Sequence, residues 1–352
     1  MFNYTARYLV SVLKVALQAK PNKNIIVLMM QDSDTDSKLL EKLALLTEKY
    51  EKDGQDPSVH LEGLYHTNYL KYWEYIRLET LLSLQNPKTN FPDELIFITY
   101  HQITELYFKM VLHEIRQLTD IDNLDSAFFL KRMTRINWYF SNLIQSFDVI
   151  SVGMENEQFM KFRSALHPAS GFQSVQYRMV EIASTDFINL VSKESRDDYS
   201  DYSTIDDMYD NIYWKRGAID TKTGKKTLTL EQFEEKYTKD LIKMAYEFKS
   251  KNLWSIFKKL PFDAQENKEI VNALKRFDTY VNINWPLAHY KYAVSYLFKS
   301  NGPVAATGGT NWQKYLPPRF QKQIFFPSLW TVEEINEWGK EWVETEVLPR
   351  LK

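Results

Sequence analysis

The stretch Asp93–Leu118, DELIFITYHQITELYFKMVLHEIRQL, decides how the rest of the chain is read. It opens after Pro92, and Asp93 and Glu94 occupy the first turn, where carboxylates suit the helix dipole. No Gly or Pro interrupts it, and Leu95, Ile96, Phe97, Ile98, Ile103, Leu106, Phe108, Met110 and Val111 put apolar side chains on nearly every side. Such a helix is expected inside a bundle. Yet its middle carries His101, Gln102, Thr104 and Glu105, and Phe97, His101, Glu105 and Phe108 share one face. A histidine held between aromatics needs a partner. It is either a core histidine bonded to a carbonyl or to Glu105, or a polar group facing an interior cavity.

Working outward, Tyr69–Gln85 reads as an aromatic-edged helix with Tyr72 and Tyr75 at i, i+3, and the Asn86–Pro92 loop joins it to the central stretch. Upstream, Lys38–Lys52 has an amphipathic pattern. Tyr8–Leu17 is apolar but short and contains Lys14, so it reads neither as a membrane span nor as a signal peptide. Met29 and Met30 precede a polar run, and one reading places the native start there. Downstream, a second long helix is expected over 127–148, then an apolar helix ending near Arg163. A buried arginine wants a planar oxyanion, either an internal carboxylate or one brought by a ligand. Pro168-Ala169-Ser170-Gly171 makes a turn, and Gln173 is expected to open another helix. Ser195–Asn211 carries six aspartates and reads as a surface elaboration. Thr229–Lys251 returns to helix, and Lys268–Leu297 is mostly helical, with Pro286 expected to kink it or to begin a second helix.

These patterns give an all-α fold: one large helical-bundle domain over 61–352, with a small helical elaboration inserted at about 190–260 and an N-terminal helical extension over 1–60. The 352 residues include 44% hydrophobic side chains, enough for a large core. A net charge of −2 gives no reason to expect nucleic acid. The 10 glycines are too few for a phosphate-cradling α/β scaffold. There is no cysteine, which removes disulfides, thiolate nucleophiles and zinc–thiolate sites. Aromatics at 15% suit thick cores and flat pockets.

Three segments carry a resemblance. FR-x-x-L-x-PASGFQS-x-Q-x-R at Phe162–Arg178, DELIFITYHQITELYFK at Asp93–Lys109, and Y-x-x-Y-I-x-L-x-x-LL-x-x-Q at Tyr72–Gln85 resemble the tryptophan 2,3-dioxygenases, in that family's order. W-x-x-x-H at Trp285–His289 is similar to the family's proximal haem-ligand segment, and TGG at Thr307–Gly309 followed by Tyr315-Leu316 to its substrate loop. The resemblance implies haem b, active with ferrous iron, and cleavage of the indole C2–C3 bond of L-tryptophan by O2 to give N-formylkynurenine. It implies that His289 ligates the iron and that His101 stands on the distal side, bonding to dioxygen or to the indole N–H. Arg163 and Thr307 would hold the amino-acid end, and Phe97 would wall the indole. Tyr72 and Tyr75 would complete a neighbouring subunit's pocket in a homotetramer. Ser170, Gly171 and Trp285 would lie against the haem. It further implies a cytoplasmic enzyme with no membrane or nucleic-acid partner.

The chain departs from the family pattern at Tyr107, Pro286, Ala306, Thr310-Asn311-Trp312 and a longer stretch from His289 to Thr307. These departures cluster on the proximal and loop side. Two other readings stay open. One is a histidine-ligated haem monooxygenase acting on another indole or aromatic amino-acid derivative. The other is a helical haem-binding protein without turnover.

Overall fold

A computed structural model describes residues 34–67, 71–121, 124–167, 170–200, 202–220, 223–299, 302–303, 318 and 322–340. The expectations for Tyr8–Leu17 and for Met29-Met30 therefore lie outside the described residues. The chain divides into two compact units, Met1–Leu84 and Gln85–Lys352.

In the first unit, α1 (Asp34–Lys52) is followed by α2 (Pro57–Tyr65). Asp56 caps α2 by accepting from the Ser58 N–H, with proline at the first helical position. Tyr50 and His60 stack at 4.1 Å and tie the two helices together. The expected continuous helix over 69–85 is instead two short ones, α3 (Tyr72–Tyr75) and α4 (Leu78–Leu82). Arg77 between them sits at φ 55°, a left-handed conformation that breaks the helical path.

The second unit is built on α5 (Asp93–Thr119), α6 (Ser126–Ser146), α7 (Asn156–Phe162), α8 (Val175–Ser184), α9 (Leu228–Phe248), α10 (Lys268–Thr279) and α11 (Trp285–Leu297). Among the described residues, regular β pairing is limited to Phe298–Lys299 against Gly302–Pro303 and two isolated bridges. The all-α expectation holds. No described helix is long and apolar enough to cross a membrane.

Two apolar clusters divide α5 between them. Its C-terminal half supplies Phe108, Val111, Leu112, Ile115 and Leu118 to the main core, against Phe129, Met133, Ile136 and Phe140 of α6 and Leu274 and Phe277 of α10. Its N-terminal half supplies Ile96, Phe97 and Tyr100 to a second cluster with Phe147, Phe159, Phe162, Tyr292 and Tyr296. The expectation of burial on all sides needs correction. Leu95, Ile103, Leu106 and Met110 form an exposed apolar stripe on α5 at helical spacing. The acidic elaboration also differs from expectation. Ile205, Tyr209, Ile212, Trp214 and Ala218 are buried in the main core, while Asp197, Asp198, Asp206, Asp207 and Asp210 face solvent.

The stretch 268–297 runs on through its proline by means of a π turn at Tyr280–Asn284. Pro286 removes an N–H and crowds the preceding turn, and the extra residue absorbs that defect. Near it, the buried Asp278 carboxylate accepts from the Phe325 and Phe326 N–H groups, the Trp330 indole and Asn282 Nδ2. Burial, set against those bonds, pushes its pKa up to about 6.

Candidate active site

The second apolar cluster is where the chain's polar anomalies meet. His101 comes from the middle of α5, and its Nδ1 lies 2.7 Å from the Phe97 carbonyl one turn back. A carbonyl only accepts, so Nδ1 carries the proton. Burial lowers the His101 pKa, against the Phe97 carbonyl bond and the Glu105 charge. The neutral ring then leaves Nε2 as an acceptor, with no partner among the described residues. The side chain keeps accessible surface although protein crowds it. Phe97 lies against the ring at 4.0 Å, and Tyr100 meets it edge-on at 5.5 Å. Of the two readings of this histidine, the bond to a carbonyl is met: the ring bonds the Phe97 carbonyl of its own helix.

His289 arrives from α11, one turn after Trp285 and one before Tyr292. Phe147 stacks near it at 6.1 Å, and Phe147 in turn packs on Trp285 at 4.7 Å. Burial, followed by the electrostatic effect of His101, brings the His289 pKa down to about 4. Its imidazole is neutral at ordinary pH, and neither ring nitrogen has a hydrogen-bond partner among the described residues. The two histidines are therefore close enough to feel each other, although they come from opposite ends of the second unit.

The motif 170–178 explains its own polarity. Gln173 Oε1 accepts from the Ser170 N–H, and Gln173 Nε2 donates to the Thr229 carbonyl. Ser174, rather than Gln173, begins the helix: its hydroxyl caps α8 at the Tyr177 N–H. Gln176 donates to the Glu105 carbonyl and carboxylate on α5. This bracing holds Gly171 against His289. A Cβ at 171 would come within 2.6 Å of His289 Cε1, so glycine alone permits the approach.

Arg163 follows α7 in a 3₁₀ turn and is buried, with Nη1 3.9 Å from Met160 Sδ. Burial lowers its pKa, and Tyr292 is its electrostatic neighbour. The start of α7 is set by the first turn of α5, where Asp93 accepts from the Glu155 N–H at 2.6 Å. The Tyr296 hydroxyl lies 2.7 and 2.8 Å from the Ile150 and Met154 carbonyls, fixing α11 to the turn before α7.

The described part of the site therefore gathers Phe97, His101, Arg163, Ser170, Gly171, Trp285 and His289 in and around one aromatic cluster. Thr307 lies outside the described residues. Tyr72 and Tyr75 belong to the first unit, where both are exposed. Sequence reasoning missed Tyr292 and Phe147. The i, i+4, i+7, i+11 spacing of Trp285, His289, Tyr292 and Tyr296 carried the signal for Tyr292.

An all-α chain that brings two neutral histidines and a buried arginine into an aromatic interior has the features of a cofactor-binding helical enzyme. Comparison with known proteins gives the family. The model of the tryptophan 2,3-dioxygenase family matches residues 62–281. A tryptophan 2,3-dioxygenase of Bacillus thuringiensis subsp. konkukian is 28% identical over 293 residues, 79% of this chain and 98% of the relative. That of Bacillus anthracis is 37% identical over 135 residues, 37% of this chain and 47% of the relative. One from an Anaeromyxobacter species is 39% identical over 127 residues, 36% and 45% of the two chains. The chain belongs to the tryptophan 2,3-dioxygenase family. The family match stops at residue 281, short of Trp285 and His289, on the side where the sequence departs from the family pattern.

Proposed function

We propose that this protein is a haem-dependent dioxygenase that cleaves the indole C2–C3 bond of L-tryptophan with O2, giving N-formylkynurenine. The observation that carries this reading is the convergence of His101 and His289, both neutral, in one aromatic-walled interior beside Gly171. The donor chemistry fits a haem: a neutral imidazole with an uncommitted nitrogen, apolar walls and a bare glycine backbone. His289 would ligate the iron of haem b, ferrous in the active form, with Trp285, Ser170 and Gly171 at its edge. When bound, haem supplies the iron that activates dioxygen.

The chain's own residues place the substrate. Arg163 pairs with the tryptophan carboxylate, and Thr307 binds the same amino-acid end. Phe97 walls the indole. His101, protonated at Nδ1, offers Nε2 to the indole N–H and so fixes the ring's orientation. The indole C3 is electron-rich and is itself the nucleophile, so no strong base is required. His101 orients the ring, and the site's contribution is alignment of C3 with dioxygen.

Tyr72 and Tyr75 complete the pocket of a neighbouring subunit in a homotetramer. The apolar stripe of Leu95, Ile103, Leu106 and Met110 supports assembly, since a second chain would cover it. The enzyme works in the cytoplasm.

The decisive experiment is the product mass after anaerobic reduction followed by O2 and L-tryptophan. A gain of two oxygen atoms is expected. A gain of one would make the protein a monooxygenase, and no turnover despite a Soret band would make it a haem-binding protein. Assembly is tested by co-expressing two inactive variants, one with Tyr72 and Tyr75 replaced and one with His289 replaced. Recovered activity is expected, and no recovery would place the tyrosines in their own chain's site.

A further inference from the structure

The π turn before α11 contains a carbonyl that its own helix does not serve. In an α-helix the Val281 carbonyl would accept from the Trp285 N–H, but that N–H bonds to the Tyr280 carbonyl in π register. Continuing the π register, its donor would be residue 286, which is proline and has no N–H. The donor is instead the hydroxyl of Tyr177, 2.9 Å from the Val281 carbonyl. Tyr177 is buried in α8, and its ring packs near Phe108 at 5.4 Å and Trp285 at 6.5 Å. A buried carbonyl without a donor is costly, so this bond stabilises the π turn specifically.

We propose that Tyr177 is a positioning residue for His289, acting through the carbonyl that Pro286 leaves without a main-chain donor. The inference rests on the reading of His289 as the haem ligand. The π turn inserts one residue into the helical path. Removing that insertion would rotate everything after it by about 100°. Trp285 and His289 follow it directly, so the direction of the imidazole depends on whether the turn keeps its π register. Tyr177 belongs to the same braced segment that holds Gly171 against His289. One segment thus sets both the imidazole's neighbour and the register of the helix that carries it.

The test is a double-mutant cycle on the haem-loaded protein, with Tyr177→Phe, Pro286→Ala and the pair. Haem release from the ferric protein to a haem-free globin is measured, together with the iron–imidazole stretching band. Tyr177→Phe is expected to accelerate release on the order of tenfold and to shift the band. In the Pro286→Ala background, where residue 286 regains its N–H, Tyr177→Phe is expected to change release by about twofold at most, the residue of a donor already replaced. Equal effects in both backgrounds, or none in the native one, would overturn the proposal. If Tyr177→Phe takes up no haem, recovery in the double variant supports the proposal and failure to recover overturns it. Amide hydrogen exchange across 280–290 is read in the same four proteins. If His289 is not the ligand, His289→Ala leaves haem release unchanged, whereas the exchange pattern still reports whether Tyr177 and Pro286 are coupled.

Discussion

The two ends of α5 do opposite work with similar composition. The C-terminal half enters a dry core where Phe108, Val111, Ile115 and Leu118 are at most 1% exposed and meet Phe, Met, Ile and Leu. The N-terminal half meets tyrosines, a histidine and, through α7, a buried arginine, and leaves Leu95, Ile103 and Leu106 uncovered. The difference lies in what each partner helix offers. Opposite the core end, α6 and α10 present apolar rows, and the buried Glu114 carboxylate of that half is answered by Arg132 and Arg135 of α6. Opposite the site end, α11 presents Trp285, His289, Tyr292 and Tyr296, which bring polar groups that an apolar lining cannot serve. The apolar packing is densest at one end, and the proposed site lies at the other end of the same helix.

The separation can be broken from either side. The largest effect is expected for His289→Ala, which should abolish haem retention while the helical fold survives. The Soret band and far-ultraviolet circular dichroism read the two together, and full haem occupancy in this variant would refute the assignment. Phe140→Ala strikes the core end alone. Phe140 is fully buried and packs on Phe108 and Phe277, so unfolding free energy should fall by about 3–5 kcal/mol. Denaturant unfolding measures it, and a loss below about 1 kcal/mol would mean that this core tolerates a cavity of that size.

Arg163→Ala should weaken L-tryptophan binding by about 2–5 kcal/mol, because the substrate carboxylate would be buried without its partner. Calorimetric titration tests it, and equal affinity of the native protein for tryptophan and for its decarboxylated analogue would sink the clamp. The smallest effect belongs to the core end and depends on pH. Asp278 has a carboxyl pushed up to about 6 when folded, against 3.8 when free. Between those values the folded state binds more protons than the unfolded one, so stability falls as pH rises through the window and levels off above it. The full span is about 3 kcal/mol. Asp278→Asn should remove this slope, and an unchanged slope between pH 4 and 6 would assign it to other groups.

Much of the architecture was legible in residue order. The first-turn carboxylates of α5 and the spacing of apolar residues in α6 and α9 act over a few residues, whereas the caps at Asp56 and Ser174 emerged only from the structure. Main-chain hydrogen bonds and side-chain faces repeat locally in the same way. That is why helices and their approximate ends could be read without partners. The break at Arg77 was not legible, since an arginine carries no signal for a left-handed backbone. Nor was the buried side of the aspartate-rich segment, where composition hid the apolar residues Ile205, Tyr209 and Ile212 at i, i+4 and i+7.

His101, Arg163 and His289 were singled out as residue types in unusual company, and the family resemblance gave them expected roles. By itself the sequence determined which side chains needed partners: a histidine among aromatics, an arginine in an apolar helix, a proline inside a helical run. Tertiary structure alone decided who those partners are. It placed the two histidines in one interior, laid Gly171 on the His289 ring, and brought the Tyr177 hydroxyl to the Val281 carbonyl. The physical reason is range. A missing hydrogen bond is a local fact written in one residue, but the group that replaces it comes from wherever packing brings an opposing helix.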